Sequence, residues 1–425
     1  MPPTPRHEIA DLTRKPGELS FEARIAGLEP KRIWIRTESE VEPSADPALP
    51  LCLLPAMRSG GPLTMDERVS PRMLRNQAEF QAIQRSWSFG WPFGEPPLEE
   101  VEVIAPTRAP DRPPPGGRVA AFFSGGVDSF ATILDNPDVT DLIFVRGIDL
   151  LPRLAHQEGL ADRVEERLRV AAGELGMPLH AVETNARELS DPLVRWESYS
   201  ACPLVAVSLF FAPLFERVLI AGDTDHETQP PIGSARLVDQ LWSTEGLEIV
   251  DAGGRFGREQ RLERIATHPV VRRTLRVCWE NPGGAYNCGR CRKCMLTKIS
   301  LEAIGAREEV ATFSPELDLG LLEDYEISQP IQLVLWEDVL DTIRDHGRED
   351  LERAVAPLVA RGKEALGLAQ SYRTRMSRGG SGAAGATLEL EEARRQLATV
   401  VDSRSWRVTA PARRLAGRLR ARLRP

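Results

Sequence analysis

The stretch Val119-Ala-Ala-Phe-Phe-Ser-Gly-Gly-Val-Asp-Ser129 decides the fold. Its first five residues form a continuous apolar run, as a strand buried on both faces requires. Gly125 and Gly126 then turn the chain, and a helix is expected from Ser129 to Leu134. Strand, glycine turn and helix in that order make an anion pocket. The glycines let the backbone approach a phosphate and aim N–H groups at it. The start of the helix adds positive dipole at the same point. Ser124 and Ser129 contribute hydroxyl donors. Asp128 is the informative residue, because a carboxylate beside a phosphate repels it, so a bridging Mg²⁺ is expected. The spacing is neither the Walker GxxxxGK[ST] nor GxGxxG. A plain glycine turn before a buried helix is the competing explanation.

Outward from this stretch the rhythm is strand, helix, strand. Leu142-Ile-Phe-Val reads as a second buried strand, and a charged helix follows from about Leu154 to Leu175, closed by Gly176. His180-Ala-Val-Glu-Thr is a third strand and Tyr199–Phe215 a buried helix; Arg217-Val-Leu-Ile-Ala is the fourth strand. Alternation of this kind predicts an α/β fold, a doubly wound parallel sheet with helices on both faces. Ligands on such sheets sit at the carboxyl ends of the strands. Residues 1–105 read as a strand-rich N-terminal unit with a helix from Ser70 to Trp87, Pro71 lying just inside its start. Pro43 and the prolines of SADPALP, Pro47 and Pro50, are expected to break the alternating segments Leu19–Ile25 and Arg32–Arg36 that precede them. Residues 106–117 read as a linker, 118–312 as the nucleotide domain and 313–374 as a helical extension with a break near Gly347. A Gly/Ser/Ala linker is expected over 375–387, and an amphipathic helix with a basic tail over 388–425.

Four of the six cysteines fall within 17 residues: Cys278, Cys288, Cys291 and Cys294. Two x2 spacings let successive sulfurs face one ion, and the longer loop with Gly283, Gly284 and Gly289 returns the fourth. Zn²⁺ takes four thiolates in a tetrahedron and then has no open position, which makes such a site structural. An iron–sulfur cluster is the alternative, since four thiolates also suit it.

Ser124-Gly-Gly-Val-Asp-Ser129 after an apolar strand resembles the PP-loop of the adenine-nucleotide α-hydrolase superfamily. That superfamily includes GMP synthetase, asparagine synthetase, tRNA thiolation enzymes and 7-cyano-7-deazaguanine synthase. The resemblance implies that Ser124, Gly125, Gly126, Val127, Asp128 and Ser129 hold the pyrophosphate of ATP, with Ser124, Asp128 and Ser129 acting on the reaction. A substrate oxygen would attack the α-phosphate, and nitrogen or sulfur would then displace AMP. The downstream cysteines are similar to the zinc-binding end of 7-cyano-7-deazaguanine synthase, which makes Cys278, Cys288, Cys291 and Cys294 the implied zinc ligands. The likeness covers roughly Arg118 to Gly305. Residues 1–105 have no counterpart there, nor does a matching substrate segment follow Asp225, so a different small-molecule substrate is expected, bound or covered by the N-terminal unit. No glutaminase pairing is present; a nitrogen or sulfur donor protein is one candidate partner, free ammonia or sulfide the alternative.

Polar groups after the third and fourth strands should reach the nucleotide or substrate. These are Asn185 and Arg187, then Gly222 and Asp223 with Asp225; helix caps or solvated turns are the alternative for the two carboxylates. Arg258 or Arg261 is read either as neutralising phosphate or as a surface arginine. Cys202 reads as a buried thiol, with a persulfide carrier as the alternative.

Over 425 residues the apolar content is 42%, the charged content 27% and the net charge −8, which argues against non-specific nucleic-acid binding. The N-terminus lacks a signal-like apolar run, and Leu204–Phe215 is too short to span a membrane. A cytoplasmic location is therefore expected. The last 23 residues carry eight arginines, and Asp402-Ser-Arg-Ser-Trp-Arg-Val-Thr-Ala-Pro-Ala-Arg-Arg resembles a motif near the ends of bacterial glycosyltransferases. That tail suits contact with a glycosyltransferase or with the inner membrane surface. The expected activity is that of an ATP-dependent ligase in a surface-polysaccharide or modified-nucleoside pathway. A sulfur transferase and a non-catalytic nucleotide-binding scaffold are the alternatives.

Overall fold

The computed structural model describes residues 5–90, 97–151, 154, 157–222 and 233–378. Asp223, Asp225, the expected helix over 388–401 and the basic tail lie outside the described residues. Among the described residues ten strands form one sheet: β1 His7–Lys15, β2 Glu18–Arg24, β3 Lys31–Thr37, β4 Leu63–Met65, β5 Val103–Ile104, β6 Val119–Phe122, β7 Asp141–Arg146, β8 Leu179–Thr184, β9 Arg217–Ala221 and β10 Glu248–Ala252. Their spatial order is β10-β9-β6-β7-β8-β3-β2-β1-β4-β5.

The first five strands in that order are mutually parallel. From β6 the chain winds outward through β7 to β8, then returns to lay β9 on the other side of β6. The switch point of the sheet is therefore the gap between β6 and β9. Side chains of these strands alternate between two cores. Ala120, Phe122, Ile143, Val145, Val218 and Ile220 face one. Val119, Ala121, Leu142, Phe144 and Leu219 face the other. Burial on both faces is why these strands carry continuous apolar runs. One core is covered by the helices Ala48–Ser59, Pro71–Gly90 and Ala201–Phe210, the other by Val127–Asp135, Leu160–Glu174 and Arg258–Ile265. The fold is α/β, with a large, mostly parallel sheet between helical layers.

The N-terminal strands extend this same sheet. Ile35, Arg36 and Thr37 of β3 pair antiparallel with Thr184, Glu183 and Val182 of β8. Asn185, just beyond β8, prolongs the seam: its Oδ1 accepts from Trp34 N at 2.9 Å and its Nδ2 donates to Arg32 O at 2.9 Å. At the other end of the seam His180 lies between Ser39 Oγ, 2.8 Å away, and Asp141 Oδ1, 2.9 Å away. Asp141 also holds the Arg118 guanidinium.

The alternating strand segments do end ahead of the prolines, β3 closing at Thr37, and the following Ala48–Ser59 is a helix that contains Pro50 and Pro55. Pro55 leaves the carbonyl of Leu51 without its helical donor, and the buried Tyr199 hydroxyl donates to that carbonyl at 2.9 Å. Two expectations need correction. The helix expected to begin near Leu154 begins at Leu160. The helix Glu349–Arg378 runs past residue 375, where a linker was expected. The break near Gly347, at φ 64°, separates it from the helix Pro330–Asp345. Among the described residues no helix is long and apolar enough to cross a membrane.

Candidate functional site

The glycine turn leaves the carboxyl end of β6 at the switch point. Gly125 has φ 74°, a left-handed conformation that suits glycine. A Cβ there would lie 2.9 Å from Leu168 Cδ2, so the position is closed to larger residues by both conformation and space. Gly126 caps the helix Val127–Asp135, whose first N–H groups have no intrahelical acceptor. Ser129 Oγ donates to Gly126 O at 3.1 Å and lies 3.4 Å from Ser124 Oγ. Ser124 is exposed while Ser129 is buried, so the two hydroxyls mark the outer and inner sides of the turn.

Asp128 points back to Arg261. Arg261 Nη1 donates to Asp128 Oδ1 at 2.8 Å and also to Gly222 O; its Nη2 donates to Gly253 O at 2.5 Å. Gly222 follows β9 and Gly253 follows β10, so one guanidinium joins the ends of two strands to the first turn of the loop helix. Arg261 is only 2% exposed. Arg258 is buried too, bonded to Glu259 Oε1 at 3.1 Å and Thr297 Oγ1 at 2.7 Å. Neither is a surface arginine. Burial pushes the Glu259 carboxyl up from its ordinary range, and the Arg258 charge opposes that.

Of the other expected residues, Gly222 is brought to the loop through Arg261. Asn185 and Arg187 stand at the end of β8, two strands from β6. Asn185 is engaged with β3. Arg187 is engaged with Asp191 Oδ1 at 3.0 Å and Ile148 O at 2.9 Å, stacked on the Trp196 ring. Cys202 is buried, and burial pushes its thiol well up, as an inert core thiol requires.

The four downstream cysteines converge. Their sulfurs all lie within 4.8 Å of one another, with 3.9 Å between Cys278 and Cys291 and between Cys288 and Cys294. These separations are far beyond a disulfide bond. A tetrahedral ion with metal–sulfur bonds of about 2.3 Å needs sulfurs about 3.8 Å apart, so the four thiols can bind a metal such as zinc. Backbone N–H groups already point at three of the sulfurs: Asn281 at Cys278 (3.3 Å), Cys291 at Cys288 (3.2 Å) and Cys294 at Cys291 (3.4 Å). Gly289, at φ 69°, makes the tight turn between Cys288 and Cys291. Hydrogen bonds from the Cys291 and Cys294 thiols hold Cys278 well below the usual thiol range, and sharing with Cys278 pushes Cys291 up to about 12. A bound cation would favour the thiolate form of all four.

No family model, curated protein or solved structure matches the chain.

Two residues escaped the sequence reading. Arg276 N donates to Gly125 O at 2.8 Å, which places the strand-like approach to Cys278 directly against the glycine turn. Its Nε is buried and has no hydrogen-bond partner among the described residues. Asp251 of β10 lies against Gly222, where a Cβ would be 3.0 Å from its Oδ1. Leu247-Glu-Ile-Val-Asp-Ala ahead of Gly253-Gly254 carries neither a clean alternation nor a continuous apolar run, so β10 had only the glycine pair after it as a signal. Nothing local marks Arg276.

Proposed function

We propose that the chain is an ATP-dependent ligase of the PP-loop type, which releases pyrophosphate and AMP. The observation that carries this is the glycine turn Ser124–Ser129 at the switch point between β6 and β9, backed by two buried arginines, Arg261 and Arg276. A phosphate-sized anion is the natural complement of N–H groups, a helix start and nearby guanidinium charge.

In this reading the N–H groups of the turn, with the Ser124 and Ser129 hydroxyls, bind the pyrophosphate as it departs. A substrate oxygen, from a carboxylate or carbonyl, attacks the α-phosphorus, and a nitrogen or sulfur nucleophile then displaces AMP. Such chemistry needs positioning and charge neutralisation more than proton transfer. Arg261 cancels the charge of Asp128 that would otherwise oppose the nucleotide. Mg²⁺, held through the Asp128 carboxylate, would supply further neutralisation of the phosphates.

The cysteine centre is read as a structural zinc site. Four sulfurs within 4.8 Å suit one ion. A [4Fe–4S] cluster binds each cysteine to a different iron, which spreads the sulfurs further apart. ATP–pyrophosphate exchange against a panel of carboxylate and carbonyl metabolites tests the reading. Exchange stimulated by one of them supports a ligase; ATP binding with no exchange and no AMP from any of them favours a nucleotide-binding scaffold.

A further inference from the structure

We propose that Arg276 ties the cysteine loop to the phosphate loop, so that metal on the four sulfurs sets the order of Ser124–Ser129. The consequence for nucleotide affinity rests on the function proposed above; the coupling itself does not.

The main chain from Thr274 to Arg276 lies against the glycine turn. Arg276 N holds Gly125 O at 2.8 Å. Cβ atoms added to Gly125 and Gly126 would lie 3.6 Å from the carbonyl oxygens of Thr274 and Arg276 respectively. Two residues further on the chain reaches Cys278.

This segment is gripped by the spacer between Cys278 and Cys288. Arg276 Nη2 donates to Cys278 O at 2.9 Å and Asn281 Oδ1 at 3.2 Å. Asn287 Oδ1 accepts from Val277 N at 2.9 Å and Cys278 N at 3.2 Å, while its Nδ2 donates to Leu275 O at 2.9 Å. Asn281 holds this place in a left-handed conformation, φ 42°, which asparagine tolerates better than other L-residues.

A metal bound by Cys278 and Cys288 closes the spacer at both ends and fixes Asn281 and Asn287. Without it the two ends of the spacer touch the other thiols only through weak contacts at 3.9 Å, Cys278 with Cys291 and Cys288 with Cys294, and the spacer keeps only its hydrogen bonds, among them Asn287 Nδ2 to Leu275 O and Tyr286 Oη to Thr274 O at 2.7 Å. The anchor of Gly125 then loosens, and with it the N–H groups of the turn. The Arg276 side chain is 7% exposed, so it transmits this strain through buried, unscreened hydrogen bonds.

Hydrogen–deuterium exchange of residues 123–130 tests the proposal without nucleotide. It is measured on the zinc-loaded full chain and after removal of zinc with a chelator. Loss of charge-assisted hydrogen bonds accelerates local opening about tenfold, so exchange in this segment should rise by that factor on stripping. Exchange in β1 and β2 should stay the same, and added Zn²⁺ should restore the slow rate. In Arg276→Ala the zinc-loaded protein should already exchange quickly, with little further change on stripping; Arg290→Ala, on the exposed side of the same loop, should behave as the wild type. Arg276→Lys, which keeps the charge but lacks the rigid planar fork, should fall between and stands in if the alanine variant does not fold.

Equal exchange with and without zinc would overturn the proposal. So would acceleration that spreads through β1 and β2, or a full metal effect retained in Arg276→Ala. A separate ATP titration distinguishes the two ideas: intact coupling without ATP binding sinks the nucleotide reading and leaves this one standing.

Discussion

Arg261 and Asp128, 133 residues apart in sequence, meet at 2.8 Å in the first turn of the loop helix. The guanidinium is almost wholly buried, and it also holds the carbonyls of Gly222 and Gly253. It is therefore both the counter-charge of the loop and the clasp of β9 and β10.

Removing that clasp should be costly. Breaking a buried ion pair by deleting one partner typically costs about 3–5 kcal/mol, and Asp128 is partly exposed, so Arg261→Ala should cost about 3 kcal/mol in urea unfolding. Arg261→Lys should recover less than half, because one ammonium cannot reproduce the planar fork that serves three acceptors. A loss under about 1 kcal/mol, typical of a surface pair, would show that the clasp carries little.

The cysteine centre predicts one metal per chain. Purified protein should carry zinc at one equivalent, and cobalt substitution should give the visible bands of a tetrahedral thiolate site. Cys288→Ser or Cys294→Ser should lose most of the metal. Broad brown absorption with bound iron after anaerobic purification would instead indicate a cluster.

Asp141 predicts a pH dependence. Burial pushes its carboxyl up, but hydrogen bonds from His180, Arg118 and Thr140 more than offset this and hold it well below the usual carboxylate range. The folded pKa is thus depressed, so the group contributes stability above its ordinary value of 3.8 and loses that contribution as pH falls towards the folded value. Asp141→Asn should be less stable than wild type at neutral pH, and the gap should narrow below about pH 4. Denaturant midpoints at neutral and acid pH measure this; a constant gap would contradict it.

Tyr199 and Pro55 form a testable pair. Tyr199→Phe leaves the Leu51 carbonyl buried without a donor, at a cost of about 1–3 kcal/mol. Pro55→Ala supplies a backbone N–H in reach of that carbonyl. In Tyr199→Phe/Pro55→Ala the loss should be smaller than in Tyr199→Phe alone, as a double-mutant cycle on thermal unfolding would reveal. Strict additivity would mean that the two do not share the acceptor.

Legibility in the sequence followed local chemistry. β6, β7 and β9 were readable because strands buried on both faces must carry apolar runs, and β8 from its place in the strand–helix alternation. β10 was not, since Glu248 and Asp251 interrupt its run. The helix Ala48–Ser59 was hidden by its prolines, and the hydroxyl that excuses Pro55 comes from Tyr199, far along the chain. The seam between β3 and β8 leaves no periodic trace, because pairing of Ile35 with Thr184 is a long-range event. The cysteine convergence was legible from spacing. Arg261 and Arg276 were not singled out as buried, since an arginine's environment is set by what folds over it.

The central claim is that Ser124–Ser129 holds ATP for cleavage between its α and β phosphates. Its most direct measurement is product analysis of ATP labelled on the α-phosphate, with Mg²⁺, the metal-loaded protein and the metabolite that stimulates exchange. The account predicts labelled AMP with equimolar pyrophosphate, reduced at least about a hundredfold in Asp128→Ala, which lacks the carboxylate that would hold the neutralising Mg²⁺. Labelled ADP, or AMP formed equally well by Asp128→Ala, would contradict it.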